Sequence, residues 1–189
     1  MRKLIKEMIS KSHVDVGEFT YGHERITFNW CEDSSVQIGK YCSIAANVTI
    51  QCGGNHRSEW ITTFPFGHDS GTSSQINPVK GHPKKPRGVI IGNDVWIGNN
   101  VTIMGGTEIG DGAIIGMNSH VFGKIPAYSI YAGNPAKLVR YRFEPEIIED
   151  LLDLIWWNYP HERILKAVSK LCQEPSKKSI AEIKELLEN

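Results

Sequence analysis

The 189-residue sequence has no apolar run near the ~18 residues a membrane span requires, and its most apolar piece near the C-terminus, LLDLIWW, is interrupted by Asp153. It also lacks an excess of either charge: 21 Lys and Arg face 21 Asp and Glu. That balance speaks against a nucleic-acid footprint or a basic membrane-binding surface. Cysteine is scarce. Cys31, Cys42, Cys52 and Cys172 contain no C-x-x-C pair, and their spacing suits neither a zinc site nor an evident disulfide framework, so a reducing, cytoplasmic setting is expected. The first residues, MRKLIKEMISKSH, carry charges inside a short apolar stretch and no small-residue cleavage site, so no signal peptide is expected. A 40% hydrophobic and 22% charged composition excludes disorder as the general state and suits one packed domain with a small appendage.

What the sequence does have is a period of six. Ile38, Ile44 and Ile50, then Ile91, Ile97, Ile103, Ile109, Ile115 and Val121, are spaced by six residues. Companions stand four places after most of them: Cys42 and Val48, then Val95, Val101, Thr107, Ala113, Ser119 and Ile125. Six matches neither the 3.6 of a helix nor a long period-two alternation. It suits a solenoid in which each hexad forms a short flat strand and turns a corner, with three hexads per triangular coil and aliphatic anchors stacked about 4.8 Å apart inside. Gly or Ala follows many anchors, at Gly39, Ala45, Gly92, Gly98, Gly110 and Gly116, where backbone must pass close to backbone. Residues 38–52 supply most of one coil and 91–126 two more; Val16-Gly17 and the segment from Ile26 to Val36 add irregular earlier turns.

Residues 53–88 break the phase with GGNHRSEW, TTFPFGHDSGTSS and GHPKKPRG, a long excursion of the kind that is functional or disordered. Beyond Asn134 and Pro135 the pattern turns helical. Helices are expected from Glu144 to Trp157, at 161–171 and at about 179–188, the last opening on a Ser179 to Glu182 capping box. This divides the chain into a β-helix over 1–140 and a helical extension over 141–189. His56 stands where the anchor after Ile50 would fall, so the repeat stops at an ionisable ring suited to general-base work on a hydroxyl or amine, or to anchoring a loop.

The hexads resemble those of the left-handed parallel β-helix acyltransferases. More specifically, CSIAANVTIQCGGNHRSEWITTFPF, VIIGNDVWIGNNVTIMGGTEIGDGAIIG, IPAYSIYAGNPAKLVRYRF and IWWNYP are similar, in that order, to the xenobiotic acetyltransferase family, which includes hexapeptide-type chloramphenicol and streptogramin acetyltransferases and O-acetyltransferases of surface sugars. The likeness covers most of residues 14–160. It implies direct acetyl transfer from acetyl-CoA in a ternary complex, with His56 as the base and backbone amides at the developing oxyanion. Glu59 is a candidate to orient the imidazole or the acceptor. Trp60, Phe64 and Phe66 are candidates for the acceptor wall.

The resemblance further implies a homotrimer with acetyl-CoA in the groove between neighbouring coils of two subunits. By position Trp96, Gly98, Gly105, Gly116, Asn118 and Ser119 would line it, and Asn134 and Lys137 would reach the adenine and 3′-phosphate end. One departure stands at MNSHVFGKIP: the family commonly has V-V-T-K-D here, whereas this chain has Val121-Phe122-Gly123-Lys124, and His120 beside them is read as a corner-packing residue, with a cofactor contact as the alternative. A basic strip of Lys84, Lys85, Arg87, Lys137 and Arg140 would meet phosphate. The Gly, Ser, Thr, His, Lys and Pro content of 67–87 favours a polar acceptor, a sugar hydroxyl of a surface polysaccharide or its precursor. An antibiotic hydroxyl or a nucleotide-linked amino sugar is the alternative, and a silent β-helix module a remote one. γ-Type carbonic anhydrases share the coil and use a His-x4-His pair; no two histidines here are five apart, so no metal is expected.

Overall fold

In the computed structural model, which describes residues 13–66 and 84–189, the six-residue period becomes three flat faces meeting at three edges. The first face stacks β1 (Val14–Val16), β3 (Val36–Ile38), β6 (Val89–Ile91), β9 (Glu108–Ile109) and β12 (Lys124–Ile125). The second stacks β4 (Ser43–Ile44), β7 (Trp96–Ile97), β10 (Ile114–Ile115) and β13 (Ser129–Gly133), closed by antiparallel β14 (Ala136–Tyr141). The third stacks β2 (Thr27–Asn29), β5 (Thr49–Gln51), β8 (Thr102–Met104) and β11 (His120–Val121). All neighbours but the last hairpin are parallel, the left-handed parallel β-helix expected from the hexads.

Side chains alternate across each strand, so one residue in two points inward. Every anchor from Ile38 to Val121 is buried, as are the companions from Cys42 to Ile125, including the polar Thr107 and Ser119. Each buried Ile or Val contributes roughly 1.5–3 kcal/mol by leaving water. At Gly98 an added Cβ would stand 2.7 Å from the Met117 nitrogen of the next coil, which is why the residue after the anchor is small.

The register shows where the coil departs from three hexads per turn. Ile97 pairs with Ile115, exactly three hexads on in the sequence, but the pairings of Val16 with Ile38 and of Phe28 with Ile50 each span four residues more. Ile38 pairs with Ile91 across the long excursion. At the far end the pairing of Ile109 with Ile125 falls two residues short of three hexads, so the fourth coil is shortened and Ile125 is the first anchor of a fifth, not simply the companion of Val121. The extra residues of the first coil and the excursion both leave at the edge between the third and first faces. We call it the loop edge.

The edge between the first and second faces is covered by helices: α1 (Pro145–Leu154), α2 (His161–Leu171) and α3 (Lys177–Glu188). They lie along this helix edge and not over the end of the coil. Tyr41 hydrogen-bonds His161 at 2.9 Å, Phe19 stacks on the same ring at 4.1 Å, and Tyr128 joins the helical core of Leu151, Leu154, Ile164, Ala167, Ile180, Ile183 and Leu187. Helix α1 stops three residues short of the expected Trp157: Ile155 turns left-handed (φ 37°), which lets the following 3-10 turn bury Trp157 before Pro160. Helix α3 starts two residues earlier than expected, because the capping box is Ser176 with Ser179, while Glu182 pairs with Lys170. The β13–β14 hairpin carries no hexad signal and is not visible in the sequence pattern.

Candidate active site

The excursion rises from the loop edge on two arms. Cys52 is the last core residue of the outgoing arm; its carbonyl accepts from Arg87 N at 2.8 Å, and the Asn55 carbonyl accepts from Lys84 N at 3.0 Å. Trp30, with positive φ (56°), lays its indole against Gly54, where an added Cβ would stand 2.8 Å from Nε1. The paired arms and this indole fix the segment that carries His56.

His56 is exposed, and its Nδ1 lies 2.8 Å from the Thr63 carbonyl oxygen. A carbonyl only accepts, so Nδ1 carries the hydrogen and the neutral ring presents its basic lone pair at Nε2. This is the tautomer a general base needs. The expectation that Glu59 orients the imidazole is corrected by the geometry: the backbone of Thr63 occupies that role. The Glu59 carboxylate instead lies 2.9 Å from Lys84 and 3.1 Å from Arg57. Lys84 first, then the backbone amide of Glu59 itself and Arg57, hold its pKa down to about 2. Glu59 thereby ties the outgoing arm to the returning one.

Trp60 is half-buried with the Arg57 guanidinium 5.7 Å over its ring, and Phe64 and Phe66 pack at 4.7 Å with both rings 43% exposed. These three aromatics stand on the same segment as His56. His68, His82 and most of the polar 67–87 stretch lie outside the described residues.

The expected acetyl-CoA residues are placed differently. Gly98, Gly116, Asn118 and Ser119 gather at the edge between the second and third faces, with Asn134 at the hairpin tip next to Gly133, whose N–H donates to Ser119 Oγ at 3.1 Å. A ladder of side-chain amides marks this asparagine edge: Asn47 Nδ2 donates to Asn100 at 3.0 Å and Asn100 Nδ2 to Asn118 at 3.1 Å, all three at φ near 60°. Trp96 projects from the second face, 55% exposed, and Lys137 is exposed on β14. Ser119 is a correction. It is buried, and its hydroxyl is committed to the Gly116 carbonyl (2.6 Å) and the Gly133 amide, so it serves the corner and not a ligand. Gly105 is on the loop edge, where an added Cβ would stand 2.4 Å from the Cys52 carbonyl oxygen. Its smallness, like that of Gly98, is required by the stacking of the coil.

His120 is not in a corner. It faces outward from β11 on the third face, 6.4 Å from the Phe122 ring. Lys124 lies 3.3 Å from Glu108 on the first face. The basic strip divides, with Lys84, Lys85 and Arg87 at the loop edge and Lys137 and Arg140 on β14. A cavity of about 100 Å³, lined by Asp94, Arg142, Trp156 and the buried, unpartnered Tyr128 hydroxyl, belongs to the helix edge and holds none of the candidate residues. Among the described residues no cluster of His, Cys, Asp and Glu is arranged to hold a metal ion, and no helix is long and apolar enough to cross a membrane.

The loop and its histidine are therefore legible in the sequence, but two features of the site are not read from it. The Thr63 carbonyl as orienting partner has no signal in residue type. The asparagine ladder does: Asn47, Asn100 and Asn118 each stand three residues after an anchor, the corner position where a left-handed conformation is required.

Comparison with known proteins places this geometry. Residues 88–123 match the bacterial transferase hexapeptide (six repeats) family. The chain is 48% identical over 138 residues to a probable macrolide acetyltransferase of Lysinibacillus sphaericus, spanning 72% of this chain and 77% of that one. It is 34% identical over 187 residues to a chloramphenicol acetyltransferase of Escherichia coli, spanning 90% and 87%. Among solved structures, a galactoside acetyltransferase in complex with coenzyme A superposes with a TM-score of 0.52 at 29% identity, over 70% of this chain and 56% of that one.

Proposed function

The chain belongs to the hexapeptide-repeat acetyltransferases and is an acetyl-CoA-dependent acetyltransferase of a small-molecule acceptor; from that premise we propose that it acetylates a hydroxyl group, with His56 as the general base. The observation that carries this reading is the Nδ1 contact to the Thr63 carbonyl, which leaves the lone pair on Nε2. Nε2 would take the acceptor proton as its oxygen attacks, a contribution of the order of 10²–10⁴ in rate. Acetyl-CoA supplies the thioester carbonyl, and the free thiol leaves.

The two groups of candidate residues stand on opposite borders of the third face: His56, Trp60, Phe64 and Phe66 at the loop edge, Asn118 and Asn134 at the asparagine edge with Trp96 and Lys137 near it. One copy does not bring them together. Three copies arranged cyclically with their third faces toward the axis would set the loop edge of each against the asparagine edge of the next. The composition of that face supports the arrangement. Its outward residues, Thr27, Asn29, Thr49, Gln51, Thr102, Met104 and His120, include no carboxylate, lysine or arginine, whereas the first face shows Asp15, Glu108 and Lys124. The helix edge is already covered. We infer a homotrimer with acetyl-CoA held between copies, Trp96, Asn118, Asn134 and Lys137 on one side and His56 on the other.

For the acceptor, a sugar ring hydroxyl fits the rim best. Charged Arg57, Glu59 and Lys84 meet ring hydroxyls, and Trp60, Phe64 and Phe66 meet the apolar face of a pyranose. A second reading, an antibiotic hydroxyl, is favoured by the named relatives and by the exposure of Ile61 beside the two phenylalanines. The purified protein is assayed for free thiol with hydroxyl sugars, amino sugars, chloramphenicol and a macrolide as acceptors. Turnover with hydroxyl sugars above the others supports the first reading; turnover confined to the antibiotics transfers the function to the second, and turnover confined to amino sugars rejects both.

A further inference from the structure

The coil brings together two cysteines that stand far apart in the sequence. Cys31 follows β2 and Cys52 follows β5, strands stacked in register, and the Cys52 amide donates to the Asn29 carbonyl at 3.0 Å. Both side chains are about 1% exposed, and their sulfurs lie 2.7 Å apart, with the Cys31 thiol donating to Cys52 Sγ. Two thiols in ordinary contact sit farther apart than this, and the hydrogen bond from the Cys52 amide to the Asn29 carbonyl keeps the two segments one strand spacing apart. The other two cysteines have no such partner: Cys42 donates to backbone carbonyls, and Cys172 is exposed at the end of α2.

We propose that Cys31 and Cys52 are a modification site, a thiol pair that a hydroperoxide-class oxidant converts to an intrachain disulfide stapling the first coil to the foot of the His56 loop. The first sulfur attacks the peroxide, forming an S–O bond as the O–O bond breaks; the other oxygen takes up the proton the thiol has lost and leaves as water from hydrogen peroxide, or as the alcohol from an organic hydroperoxide. The second sulfur attacks that sulfenic sulfur, forming the S–S bond as the S–O bond breaks; the remaining thiol proton leaves with the oxygen as water. Both sulfurs are oxidised and the peroxide is reduced. Cys52 is the attacking sulfur: the Cys31 S–H, then the Ser34 hydroxyl, stabilise its thiolate and lower its pKa, while Cys31, facing that charge and buried, is raised. The staple matters because Cys52 begins the outgoing arm, four residues before His56, and its carbonyl holds the returning arm at Arg87.

The test uses the full chain carrying Cys172→Ser, which removes the exposed competitor. The protein is exposed to a modest excess of hydrogen peroxide, denatured with an alkylating agent, weighed intact and digested without reductant. Against untreated protein alkylated alongside, the expected result is a mass lower by two alkyl groups and a further ~2 Da, loss of both alkylatable thiols in step, one cross-linked peptide joining residues 31 and 52, and full reversal by dithiothreitol. Cys31→Ser, which keeps the volume and the hydrogen bond, should instead gain oxygen at Cys52 with no cross-link. The proposal is overturned if the two thiols remain alkylatable while an added exposed thiol is fully oxidised, or if they gain oxygen without cross-linking in the Cys172→Ser protein. Because that first reading needs no core substitution, it stands even where Cys31→Ser fails to fold.

Discussion

The asparagine edge and the loop edge are built from the same hexads and differ in what happens at the corner. At the asparagine edge each coil turns in the minimum number of residues, and Asn47, Asn100 and Asn118 repeat one conformation and one hydrogen bond. At the loop edge the first coil takes four extra residues, the second opens into the excursion and Gly123 turns the fourth with φ 79°. The regular edge is rigid and repetitive, which suits holding an extended cofactor along several coils. The irregular edge devotes its extra residues to a segment with its own hydrogen bonds and an exposed imidazole. In this chain the edge proposed for the chemistry is the one where the repeat is interrupted, and the stacked coils on either side keep the interruption in place.

The largest expected effect separates the two edges by role. His56→Ala should reduce turnover by about 10³-fold while leaving acetyl-CoA affinity within a few-fold, as measured by thiol release and by direct binding. An equal loss of affinity and turnover would place His56 in cofactor binding and erase the distinction. Next come substitutions that fill the corners. Gly98→Ala and Gly105→Ala press a methyl against backbone at 2.7 and 2.4 Å, and each should cost about 1–3 kcal/mol in urea unfolding, because stacking is shared by both edges. A marked difference between them would show that only one edge is under packing constraint.

Smaller effects sharpen the contrast. Asn100→Ala removes the middle rung of the ladder and puts alanine at φ 59°; it should cost about 1–2 kcal/mol of stability and leave the rate constant of the chemical step unchanged in single-turnover kinetics. At the loop edge the pH dependence has a defined sign. Glu59 titrates lower in the folded chain than its ordinary 4.5, so its tie to Lys84 and Arg57 is present at neutral pH, persists through the ordinary carboxylate range and is lost as pH falls toward about 2. Limited proteolysis within 57–66 should therefore be little changed between pH 7 and pH 4. Lys84→Ala should bring the increase in cleavage up into that range.

The regular part of the fold was legible because stacking demands the same residue class every six positions; every anchor from Ile38 to Val121 was identifiable, and every one is buried. The first coil and the shortened fourth were less so, since their phase shifts, four residues long in one and two residues short in the other, exist only as pairings between strands. The same reason hid the Cys31–Cys52 pair, one irregular coil apart. His56 was legible as an ionisable residue at an anchor position. Its orienting partner was not, because a backbone carbonyl at Thr63 leaves no trace in residue type, and the nearby acid at Glu59 offered a more familiar explanation. Ser119 looked like a cofactor contact by its position, but burial had already committed that hydroxyl to the Gly116 carbonyl and the Gly133 amide.

In the proposed assembly the loop edge of one copy and the asparagine edge of another complete a single site. It is tested by co-expressing two inactive chains under different tags, one carrying His56→Ala and the other Trp96→Ala with Lys137→Glu, and isolating the mixed assemblies. If the site is shared, mixed assemblies regain substantial turnover, because some interfaces pair an intact His56 with an intact asparagine edge. Mixed assemblies as inactive as either parent would contradict it and place the whole site within one chain.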